Sequence, residues 1–139
     1  MSPSREKENL IQNIKPKRIV IHGCYSASNH DLRIKDKYGR FMKGSHDVFV
    51  ISKSSKNGFV KVKTITSLEN ENSDTYKQST LSNVKKGRII PIPNNELKSN
   101  KLSGIHLKPI LIHKSKLFKS KHNFKYPSRY NSLISIDKR

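Results

Sequence analysis

Apolar residues fall in short runs separated by polar stretches, and the densest run is Val48-Phe49-Val50-Ile51. It is β-branched and aromatic with no charge, so it predicts a strand buried on both faces. The next run, Phe59-Val60-Lys61-Val62-Lys63-Thr64-Ile65-Thr66, alternates apolar with basic or hydroxylic residues, the pattern of a strand with one wet face. Between them lies KSSKNG, ending in Asn57-Gly58, a pair suited to turn positions with φ > 0. Two adjacent antiparallel strands follow. Lys61 and Lys63 share the polar face, and the hydroxyl pair Thr66-Ser67 closes it, so this face suits an anion.

The remaining pattern is weaker. Residues 1–17 read as a polar leader ending at Lys15-Pro16-Lys17, and Arg18 to His22 (RIVIH) as a third short strand closed by Gly23. From Cys24 to Ser45 the chain is polar and turn-rich; Leu32 and Ile34 alternate with basic residues and reverse at Lys37-Tyr38-Gly39. That suggests a small hairpin or loop presenting Arg33, Lys35, Arg40 and Lys43. Leu68 to Thr80 reads as a loop whose acidic, polar composition suits disorder, and Ser82 to Lys86 as a turn. Arg88 to Pro93 reads as a strand confined to an edge by Pro91. Asn94 or Asn95 would cap a helix over 96–101, broken by Ser103-Gly104, and Ile110-Leu111-Ile112 would be the last strand. Short strands with long loops and one or two short helices predict a mainly β protein, a small twisted barrel or curled antiparallel sheet. The organisation expected is a leader at 1–17, one domain at 18–118 and a basic extension at 119–139.

Charge changes the picture more than composition does. The chain has 139 residues, 29 Lys and Arg against 10 Asp and Glu, and a formal net charge of +19. Such an excess works against compaction and points to a polyanion, with RNA or DNA first and an anionic membrane surface well behind. After Glu96 the only carboxylate is Asp137. In that tract Lys114, Lys116, Lys119, Lys121, Lys125 and Arg129 alternate with Phe118, Phe124, Tyr126 and Tyr130. Cations for phosphates and flat rings for bases are what single-stranded nucleic acid requires, although the same rings suit anchoring to the domain. No apolar run reaches about 18 residues, and no secretory signal pattern opens the chain. The lone Cys24 fits a reducing cytoplasm, and neither a zinc cluster nor a glycine-rich phosphate loop is present, so no metal and no cofactor is expected.

The order of these elements resembles the MazF/PemK/Kid family of small toxin endoribonucleases. Asp47-Val48-Phe49-Val50-Ile51-Ser52 is similar to that family's buried strand, and Val62-Lys63-Thr64-Ile65-Thr66-Ser67 to its strand ending in a Thr-Ser pair. Leu102-Ser103-Gly104-Ile105 and Ile112-His113-Lys114-Ser115-Lys116-Leu117 are similar to its closing strand and basic exit. The resemblance covers residues 18–118 and implies an SH3-like barrel, metal-independent RNA cleavage by 2′-hydroxyl attack, a homodimer and an acidic antitoxin partner. It places the family's threonine at Thr66, with Ser67 beside it, and its arginine at His46, because Ser45-His46-Asp47 stands where the family has an Arg-Pro pair. Arg40 or Lys43 would then supply the missing cation, while His46 would move protons near neutral pH.

Two functions follow as expectations. The first is an RNA-binding, RNA-cleaving protein with His46, Thr66, Ser67 and Arg40 acting on one phosphate. The second is a non-catalytic nucleic-acid- or nucleoprotein-binding protein of a plasmid or phage, or a ribosome-associated protein. Each residue also fits a plain structural role: His46 on a surface loop, Thr66 and Ser67 as strand-end hydroxyls, Lys61 and Lys63 as protection of an exposed sheet.

Overall fold

A computed structural model describes residues 14–36, 38–68 and 78–135. The fold is mainly β: among these residues seven antiparallel strands form one sheet. They are β1 (Cys24–Ser28), β2 (Ser45–Val50), β3 (Phe59–Ser67), β4 (Ile89–Ile92), β5 (Ser103–His106), β6 (Ile110–His113) and β7 (Phe118–Lys119). Three short helices accompany them, α1 (Gln78–Lys85), α2 (Asn94–Leu97) and α3 (Asn131–Ile134). None of the described helices is long and apolar enough to cross a membrane.

The expected pairing of the two central strands is present, with Val48, Phe49 and Val50 opposite Thr64, Lys63 and Val62. Gly58 closes the turn before β3 at φ 84°, a backbone conformation that side chains with a Cβ resist. On its other edge β3 meets β6 first and β5 afterwards. Between the pairs Val62–Ile110 and Ile65–Ile105 the β5–β6 side advances five positions against three on β3, so those two strands are halves of one strand interrupted at Leu107-Lys108-Pro109. Pro91 is accommodated because β4 pairs with β5 alone, at the end of the sheet.

Each face of the sheet carries its own core. Tyr25, Ala27, Val48, Val50, Val60 and Val62 pack with Leu32, Ile112 and Leu117 on one side. Phe49, Ile65 and Ile105 pack on the other with Ile92, Leu97, Tyr126 and Ile134. Burying each such side chain contributes about 1.5–3 kcal/mol, which fixes the segment after Leu97 and the C-terminal segment against the second face.

Several sequence expectations are corrected. Residues 18–22 are not a strand: Val20 and Ile21 are exposed and His22 has φ 69°, while the strand is the polar CYSAS that follows. Its buried positions are Tyr25 and Ala27, an alternation concealed by small and hydroxylic residues. A helix, α1, covers 78–85 where a loop and a turn were expected, and residues 69–77 lie outside the described residues. The helix expected at 96–101 is α2, ending at Leu97 and lacking a side-chain cap. Ser103-Gly104 belong to β5 rather than breaking a helix, and β6 is followed by β7, which pairs with β1. Lys63 is fully buried within β3, so the wet lysine face shrinks to the half-buried Lys61. The hairpin expected around 38 is present, held by the Lys35–Phe41 bridge and by Asp36, whose carboxylate accepts from the amides of Tyr38 and Arg40.

Candidate active site

The β2–β3 ladder reaches Val48–Thr64, and from there β3 continues with β5 while Ser45–Asp47 stays with β1. A cleft of about 360 Å³ opens at this parting, lined by residues 45–47 and 65–67, by the 98–101 segment and by His122 and Phe124. The sequence-predicted His46, Thr66 and Ser67 therefore meet at one place. Strand alternation divides them: Asp47 and Ser67 take the face of Phe49 and Ile65, whereas His46 and Thr66 take the face of Val48 and Val62.

On the Phe49 face, Asp47 organises the site. Its Oδ1 accepts a hydrogen bond from Ser120 Oγ at 2.6 Å, and its Oδ2 lies 2.7 Å from His122 Nδ1. A carboxylate at Nδ1 fixes the proton there and leaves Nε2 as the basic nitrogen. The His122 ring is stacked on Phe124, with centroids 5.2 Å apart and planes 6° from parallel. Ser120 is itself held, its Oγ accepting from the amide of Asn123. Lys98 and Lys101, both exposed, also line the cleft. Lys98 follows α2 in the left-handed conformation, φ 61°, which turns the chain toward the cleft.

On the Val48 face, His46 is oriented too. Asn29 is buried; its Nδ2 donates to the Lys43 carbonyl at 2.9 Å, which fixes the amide so that Oδ1 faces His46 Nδ1 at 2.5 Å. His46 therefore carries its proton on Nδ1 as well. His106 lies within electrostatic range of His46; burial, and then that neighbour, push its pKa below the usual imidazole value. Beside Asp47, burial pushes the Cys24 thiol up to about 11, opposed by a hydrogen bond with Ser120 and further raised by the Asp47 charge. Cys24 is therefore a protonated packing residue.

The other predicted residues are distributed more widely. Arg40 is outside the cleft, 3.5 Å from Asp36 on the exposed hairpin. Arg33, Lys35 and Lys43 are exposed on the same loop, with Lys35 over the Phe41 ring at 5.3 Å. Lys114, Lys116, Lys119, Lys121 and Lys125 are exposed, whereas Arg129 pairs with Glu96 at 3.1 Å. Tyr126 is buried, stacked on His22 at 3.8 Å and edge-on to Phe49, so its ring anchors the C-terminal segment instead of meeting a base.

Sequence reasoning missed His122, Lys98, Lys101, Asn29 and Ser120. His122 sits between Lys121 and Asn123 in a basic tract, and its partner lies 75 positions away, so no local signal marks it. Among the described residues no group of three His, Cys, Asp or Glu is arranged to hold a metal ion. No protein-family model matches the chain, and no curated protein shows significant similarity to it.

Proposed function

We propose that this protein binds single-stranded RNA and cleaves it as a metal-independent endoribonuclease, with the cleft at the parting of β2 and β3 as its site. The observation that carries the reading is the Asp47–His122 pair lining one cleft with Lys98 and Lys101. His122 Nε2 takes the proton of a ribose 2′-hydroxyl, and the 2′-oxygen attacks the adjacent phosphorus. The bond to the 5′-oxygen breaks, and that oxygen leaves with a proton from water at the cleft mouth. The products are a 2′,3′-cyclic phosphate and a 5′-hydroxyl. Lys98 and Lys101 hold the phosphate, whose charge grows as the 2′-oxygen adds. His46, its proton placed by Asn29, lies across the gap as a second positioned imidazole. The +19 charge supplies the attraction for RNA, with DNA a weaker ligand for want of the 2′-hydroxyl. An acidic antitoxin-like chain would compete for the same cations.

A second reading, a non-catalytic nucleic-acid- or nucleoprotein-binding protein, is favoured by one observation: Arg40 is engaged with Asp36, and among the described residues no arginine lines the cleft. Incubation with end-labelled single-stranded RNA in EDTA separates the two. Cyclic-phosphate ends that disappear in His122→Ala support the nuclease, and His46→Ala and Thr66→Ala report on the opposite face. Salt-sensitive binding without any product would establish the second reading instead.

A further inference from the structure

Besides the cleft, two further depressions share residues with each other. A groove of about 330 Å³ lies between residues 15–19 and 113–117, with Lys15, Lys17, Arg18 and Lys114 on its walls. A wider depression of about 660 Å³ shares Pro16, Lys17 and Arg18 with that groove and extends along Cys24, Lys119, Ser120 and Asn123. Ser120 bonds to Asp47, and Asn123 stands between His122 and Phe124, so this depression adjoins the cleft without sharing a lining residue with it. Among the described lining residues Asp47 is the one carboxylate, and it is tied to Ser120 and His122.

The path is built, not a random spread of lysines. Tyr25 Oη accepts from the Val20 amide at 2.8 Å and donates to the Arg18 carbonyl at 3.2 Å, fastening residues 18–20 beside β1. The Lys119 amide donates to the Ile14 carbonyl at 2.8 Å, and Lys15 Nζ bonds to the Ser115 carbonyl and lies 4.6 Å from the Phe118 ring centre. Two chain segments remote in sequence are thus joined, and their cations line the same two depressions.

We propose that these depressions form a single track for an extended single strand of RNA, which enters over Lys15 and Lys114, passes Lys17, Arg18 and Lys119, and reaches the cleft at His122. This rests on RNA being the ligand of the cleft and adds the length and strandedness of the substrate. A row of cations with aromatic surface at its end, the His122–Phe124 stack, suits phosphates followed by an unstacked base. A duplex holds its bases inside and cannot use that stack.

The test uses the full chain and fluorescent 2′-O-methyl oligouridine, which cannot be cleaved, in three-nucleotide and twelve-nucleotide lengths across a salt series. The triple variant Lys17→Ala/Arg18→Ala/Lys119→Ala is compared with Lys85→Ala/Lys86→Ala/Arg88→Ala, which removes equal charge from exposed positions elsewhere. The track variant should lose about tenfold or more in affinity for the longer strand, with the slope of log K against log salt shallower by about 2, from roughly 0.7 per lost phosphate contact. The control variant should change much less. Equal weakening by the two triples would overturn the track, as would equal binding of a twelve-base-pair RNA duplex. Track-dependent binding without cyclic-phosphate product from unmodified RNA would leave the track standing and remove the nuclease; cleavage indifferent to the track variant would do the reverse. No RNA binding even at low salt would remove both.

Discussion

Asp47 reaches His122 across 75 positions of chain, Oδ2 standing 2.7 Å from Nδ1 while Ser120 occupies the other carboxylate oxygen. Both carboxylate oxygens are engaged, so the imidazole has one orientation and one tautomer. Replacing Asp47 by Asn keeps the shape and removes the charge that fixes the proton. Asp47→Asn should lower kcat for RNA cleavage by at least about tenfold with little change in KM, and should alter the pH profile. His122→Ala should lose about 10²–10⁴-fold. An Asp47→Asn enzyme with unchanged kcat and pH profile would show that the pair plays no part in the chemistry.

Cys24 tests the burial of the same region. With its pKa at about 11, only about one thiol in a thousand is ionised at pH 8. Alkylation by iodoacetamide should be slow in the folded protein, should quicken as pH rises toward 11, and should become fast at pH 8 in urea. Rapid native labelling at pH 8 would contradict the packing around β1.

His106 makes stability depend on acidity. Its folded pKa is below the ordinary 6.5, so under acid conditions the unfolded chain binds a proton that the folded chain resists. Stability from this group is complete above pH 6.5 and falls as pH drops through and below that value. His106→Gln should flatten the fall in Tm on the acid side of about pH 6.5 relative to the parent. Parallel curves for the two proteins would argue against the buried, His46-facing environment.

Tyr126 separates packing from hydrogen bonding. Its hydroxyl donates to Asn131 Oδ1 at 2.7 Å, and its ring is buried against His22 and Phe49. Tyr126→Phe should cost about 0.5–1.5 kcal/mol, whereas Tyr126→Ala should cost about 3–5 kcal/mol in denaturant unfolding. Similar losses in the two variants would place the ring outside the core.

Gly104 lies where β5 is hemmed in by β4. A Cβ there would stand 2.7 Å from Ile89 Cγ2 and 2.9 Å from the Ile90 carbonyl oxygen, and the backbone atom cannot swing away. Gly104→Ala should destabilise by about 1–3 kcal/mol and disturb Ser103 in the cleft wall. A neutral effect on unfolding would mean that β4 sits further from β5.

Legibility followed the density of apolar side chains. Val48 to Val50 and the run from Phe59 announced β2 and β3 because both periods were written in β-branched residues. β1 was invisible because Cys24, Ser26 and Ser28 carry no hydrophobic signal, and its strand character comes from pairing with β2 and β7. Lys63 was read from period alone as exposed, but burial of β3 on both faces overrode that pattern. Within the cleft, Thr66 and Ser67 were legible from their position at a strand end, whereas His46 was singled out through the family resemblance alone. His122 and Lys98 were not, because their placement is set by tertiary packing of Leu97, Phe124 and Tyr126.

The segments that meet at Asp47 come from distant parts of the chain, and their meeting requires both cores: β1 and β2 to carry Asp47, and the docked C-terminal segment to deliver His122. A partly folded chain, even one with β2 and β3 already paired, has the carboxylate without its imidazole. In the proposed nuclease, cleavage would thereby be conditional on completed folding, and nascent or misfolded copies would lack it.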